Sequence, residues 1–107
     1  KTKSIHAAEY FHGTLELVEE DTSLILFYGE DETRPLMDRV MNFSQKVTKV
    51  INIFDTKEIE LPFTRPDYRK IVSPMVMYAM TERLSCHLEK ERNHPLTTRR
   101  YYRQMEY

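Results

Sequence analysis

At 107 residues the chain is long enough for one domain with one hydrophobic core, and short for an enzyme acting alone. Hydrophobic residues make up 40% and charged residues 31%, and the net charge of −1 leaves no basic surplus for phosphate contacts, so a nucleic-acid partner is not expected. The one cysteine forms no internal disulfide and suits a reducing cytoplasm, and no apolar run approaches the roughly 20 residues of a membrane span.

The chain opens on Lys1 rather than Met, so it reads as part of a longer protein, and "KTKSIH" lacks the apolar stretch of a secretory signal. The first motif is "HAAEYFHG", where His6, Glu9 and His12 recur every three residues and Gly13 follows. On a helix this spacing puts all three on one face. Acid/base work is one reading of this face, with Glu9 able to orient the His12 imidazole or bind substrate. The competing readings are a histidine at a turn beside Gly13 and a solvated carboxylate. A metal site is disfavoured: no further ligand or cysteine cluster completes the set. His6 is left as a surface or pocket residue.

"SLILFYG", Ser23 to Gly29, is an unbroken apolar run between acidic segments, and predicts a strand buried on both faces. A helix follows from a Thr33 cap to Val47, with Pro35 in its first turn and Leu36, Val40, Phe43 and Val47 along one stripe. "KVINIFD", Lys49 to Asp55, is the second predicted strand. "EIELPF", Glu58 to Phe63, is the third, near an edge and closed by Pro62. Strand, helix and strand in succession imply a right-handed crossover and a parallel sheet.

A long helix is predicted next, capped by Asp67, with Pro74 in its first turn or at a kink. "MVMYAM" within it is apolar all round and predicts deep burial or a subunit interface. Met75, Met77 and Met80 belong to that surface rather than to a cofactor site. Cys86 and His87 are adjacent and point apart on a helix, so they make no nucleophile–base pair. Residues 93–107 form an irregular tail in which Arg99, Arg100, Tyr101 and Tyr102 bring two cations beside two aromatics. Gly13 and Gly29 are the sole glycines, too few for a glycine-rich phosphate or dinucleotide turn. The order β-α-β-β-α is that of the second half of a doubly wound α/β domain.

Two blocks of sequence carry a family resemblance. "EYFHGTLELVE", Glu9 to Glu19, resembles the E-x-x-H-G-P block of the sugar isomerase (SIS) domain family, and "NHPLTTRRYYRQMEY" resembles the ending of its fructosamine 6-phosphate deglycases. The isomerase half of glucosamine-6-phosphate synthase is similar too, but the tail lacks that enzyme's Schiff-base lysine. Thr14 stands where the family has proline. The resemblance implies the C-terminal part of one flavodoxin-like, three-layer α-β-α SIS domain spanning residues 1–107.

It further implies a sugar-phosphate substrate, no metal or organic cofactor, and a homo-oligomer, at least a dimer, with a shared active site. His12 would open the sugar ring in a neighbouring subunit's site with Glu9 in support. Arg99 and Arg100 would contact phosphate or the amine part of the substrate, and Tyr101 or Tyr102 would supply a proton. The family's phosphate loop and catalytic glutamate would precede Lys1. The alternatives are a non-catalytic SIS module that senses a sugar phosphate, and a small α/β interaction domain.

Overall fold

The computed structural model describes residues 3–99 and 101–106. It divides into two units, one ending at Met77 and the other beginning at Tyr78. The first unit starts with a one-turn helix α1, Ala7–Tyr10, and a 3₁₀ turn at Thr14–Leu17. Strand β1, Ser23–Tyr28, leads through helix α2, Arg34–Ser44, to strand β2, Val50–Asp55. The two strands pair in parallel, Ser23 opposite Val50 and Tyr28 opposite Asp55, so the α/β class read from the sequence holds.

The core of this unit is Tyr10, Leu26, Tyr28 and Val40, bordered by Phe11, Met37, Phe43 and Ile51. Leu26 and Tyr28 share one face of β1 by the two-residue period of a strand. Ile25 and Phe27 share the other, where Phe27 stacks on Phe54 at 5.4 Å. Ile25 is exposed and Phe27 half-buried, so the expected burial of β1 on both faces is complete on the Leu26–Tyr28 side alone.

Helix α2 begins as the sequence suggests, with Thr33 at the N-cap position and proline in the first turn. The capping chemistry differs. Thr33 makes no side-chain cap bond, because its hydroxyl donates to Asp31, whose carboxylate also accepts the Thr33 N–H at 2.8 Å. The helix stops at Ser44 rather than Val47. Lys46 and Val47 close back on Phe43 and Ser44 with the tighter i−3 bonds of a final 3₁₀ turn.

The third predicted strand, Glu58–Phe63, does not form. After β2 the chain enters a 3₁₀ turn at Thr56–Glu58, and a second turn around Pro62 and Phe63 is closed by Thr64 N–H to Leu61 C=O at 3.0 Å. The Ile59 carbonyl, which a ladder would use, accepts instead from the Arg69 guanidinium at 3.1 Å.

Helix α3, Arg69–Arg92, follows a 3₁₀ turn at Pro66–Tyr68. Asp67 is not its cap. It lies inside that turn and pairs with Arg65 at 2.8 Å. Pro74 sits inside the helix rather than in its first turn. The expected deep burial of "MVMYAM" is not met either: Met75 is 68% and Tyr78 67% exposed.

The second unit holds the rest of α3 and the tail. Thr81 and Ser85 hydroxyls donate to carbonyls three and four residues back. The helix ends with Asn93 at φ 46°, while Asn93 N–H reaches Lys90 C=O and His94 N–H reaches Glu89 C=O, both at 3.1 Å. This is a Schellman closure with asparagine in the left-handed position. The described tail residues form turns and bends, with neither helix nor strand. Among the described residues no helix is long and apolar enough to cross a membrane.

Candidate active site

The segment from His6 to Gly13 is built by opposing its two faces. His6 caps α1: its extended backbone breaks the helix, and its Nδ1 accepts the Ala8 N–H at 3.3 Å. Two alanines then favour the turn. Tyr10 and Phe11 face α2. The Tyr10 hydroxyl and Ser44 Oγ are 2.8 Å apart and buried, and Tyr10, Phe11 and Phe43 meet edge to face at 5.2–6.3 Å. The Arg39 guanidinium lies 4.7 Å over the Phe11 ring.

The other face presents titratable side chains. His6, Glu9 and His12 border one open polar hollow of about 370 Å³ with Lys3, Ser4, Ile5 and Thr14. Gly13, at φ 112°, turns the chain away directly after His12 and starts the 3₁₀ turn that presents Thr14. Few side chains adopt that φ, so the residue after His12 is glycine for a backbone reason. The hollow thus collects two imidazoles, an ammonium, a carboxylate and two hydroxyls. Side chains of these types can hydrogen-bond hydroxyls or an anion and can give and take protons. Lys3 and Ser4 carried no sequence signal. Thr14 carried one, as the departure from the family's proline.

A second polar cluster lies beyond the carboxyl ends of β1 and β2. Arg34 clasps Asp55 with both terminal nitrogens and donates to the Gly29 carbonyl at 2.7 Å. Arg69 makes a bidentate pair with Glu30 at 2.8–2.9 Å and also donates to the Thr56 and Ile59 carbonyls. The Arg34 hydrogen bond holds the Asp55 carboxyl below its ordinary pKa, and Arg69 does the same for Glu30. Burial, with Asp38 next, raises the Tyr28 phenol. Ligands of doubly wound sheets bind near such strand ends. Here the charges satisfy one another, and the cluster fastens β1, β2 and the start of α3.

The tail candidates lie in the second unit. Arg99 is exposed and reaches the Leu96 carbonyl at 3.3 Å; Tyr101 and Tyr102 are exposed, and Arg103 lies 5.2 Å over the Tyr102 ring. Arg100 lies outside the described residues. Among the described residues no three His, Cys, Asp or Glu side chains group as metal ligands.

No family model matches the chain. It is 36% identical over 104 residues to fructosamine deglycase FrlB of Bacillus subtilis, a match covering 97% of this chain and 32% of that protein. It is 30% identical over 98 residues to fructoselysine 6-phosphate deglycase of Escherichia coli, covering 92% of this chain and 27% of that protein. A solved Bacillus subtilis protein described as a candidate phosphosugar isomerase superposes with a TM-score of 0.84 at 36% identity, over 98% of this chain and 32% of that one. Its Salmonella typhimurium counterpart gives 0.82 at 33% identity, over the same shares. The chain therefore spans about a third of the length of the curated relatives it matches, in their C-terminal part.

Proposed function

We propose, from the premise that this chain is homologous to the C-terminal part of SIS-type deglycases, that it forms part of a sugar-phosphate deglycase site. The substrate class is a fructosamine 6-phosphate. Opening the ring moves a proton from the anomeric hydroxyl to the ring oxygen. A base then takes the C1 proton and C2 is reprotonated, which leaves an imine at C1. Water adds to that imine, giving an aldose 6-phosphate and the free amine.

In this reading His12 performs the ring opening, since one imidazole both accepts and donates a proton near neutral pH. Glu9 orients it or holds a sugar hydroxyl. The general base and the phosphate loop come from residues outside this chain. The arginines Arg99 and Arg100 bind phosphate or the amine part of the substrate, and Tyr101 or Tyr102 gives a proton. The protein acts in the cytoplasm as a homo-oligomer, with His12 completing the site of a neighbouring subunit.

One observation carries the reading: His6, Glu9 and His12 border a single polar hollow, and Gly13 turns the backbone away at once. The test is His12→Ala in the protein that carries this chain, assayed on fructoselysine 6-phosphate. Loss of general acid/base help lowers kcat by about 10²–10⁴-fold. Unchanged turnover contradicts the role of His12.

A further inference from the structure

We infer that Tyr10 and Ser44 are positioning residues for the candidate site: their buried hydrogen bond sets the rotation of the His6–Gly13 segment on α2, and so aims Glu9 and His12 into the hollow. The inference rests on the reading of His12 given above. The two oxygens are 2.8 Å apart across 34 residues of sequence, with Tyr10 6% and Ser44 0% exposed.

Helix α1 is a single turn, and helices so short do not hold their shape unaided in water. Its orientation must come from what it rests on. The contacts of Phe11 with Phe43 and Arg39 supply area and attraction but tolerate sliding. The Tyr10–Ser44 bond is directional, and among the described residues it is the side-chain hydrogen bond joining this segment to the rest of the unit. A one-residue rotation, about 100° on a helix, would part the two oxygens and turn the Glu9 carboxylate toward the core. Ser44 is suited to the task as the last residue of α2, where a short hydroxyl side chain is tolerated. The sequence pattern singles out neither Tyr10 nor Ser44.

The experiment uses Tyr10→Phe, Ser44→Ala and the double variant in the protein that carries this chain. Each single variant should lower kcat on fructoselysine 6-phosphate by about 10-fold with KM within about twofold, because a small misplacement of a catalytic group is costly. The double variant should be no worse than either single one, since both remove the same bond. Ile51→Val, which loosens the same core from strand β2 and leaves the Tyr10–Ser44 bond in place, should keep kcat within about twofold. Hydrogen exchange followed by mass spectrometry should show residues 9–14 exchanging faster in Tyr10→Phe while β1 is unchanged. Unaltered kcat in both single variants overturns the inference, as does an equal loss in Ile51→Val or unaltered exchange at residues 9–14. If the unmodified protein does not turn the substrate over, the functional reading fails, and the exchange result alone decides whether the bond orients this segment.

Discussion

Gly13 shows how one residue serves both backbone and site. An added Cβ would meet nothing within 4 Å, so a substitution there is resisted by backbone conformation and not by crowding. Gly13→Ala should cost about 1–3 kcal/mol, the range for a residue forced into a sparsely populated conformation. Gly13→Asn should cost less, because asparagine tolerates positive φ. Chemical denaturation of the two variants checks the order. The spacing of His6, Glu9 and His12 was legible, although of the three only Glu9 lies within α1, with His6 at its N-cap and His12 in the turn after it. The capping role of His6 was not. Histidine is an uncommon cap, and its Nδ1 bond to Ala8 depends on a local backbone angle that composition does not encode. Likewise, the hydroxyl of Thr33 looked like a cap and is instead spent on Asp31.

Among the elements, α2 could be read because its apolar residues recur at the helical period, and β1 and β2 because they are short runs rich in apolar or β-branched residues, bounded by polar segments. "EIELPF" has the strand period, yet its backbone goes elsewhere. Pro62 has no N–H to give a ladder, and Arg69 takes the Thr56 and Ile59 carbonyls. That competitor lies ten residues further on, beyond any local pattern. The two arginine–carboxylate pairs also predict a pH response. Glu30 and Asp55 have folded pKa values below their ordinary 4.5 and 3.8, so their contribution is complete above those values and is lost as pH falls through the depressed ones. Arg69→Ala removes the main cause of the Glu30 shift. Melting temperatures between pH 3 and 7 should show the variant less stable at neutral pH and with a shallower decline on the acid side. Parallel curves displaced by a constant amount would contradict the pairing.

For the molecule as a whole, two parallel strands and one crossover helix make a small core, and single core residues carry a large share of its stability. Leu26→Ala should cost about 2–5 kcal/mol, against a total of about 5–15 kcal/mol for ordinary domains. Thermal unfolding followed by circular dichroism should show a clearly lowered melting temperature in this variant. The exposed Met75 and Tyr78 remove deep burial from the two readings of "MVMYAM" and leave the subunit interface: apolar composition states what a surface can bury, not whether this chain alone buries it. The class of fold was thus readable from 107 residues, while the ion-pair fastening depended on partners far apart in sequence. The most direct measurement is the release of free amine and aldose 6-phosphate from a fructosamine 6-phosphate by the protein that carries this chain. Deglycase function predicts both products in equal amounts; saturable binding of the sugar phosphate with neither product formed would contradict it and favour a sensing module.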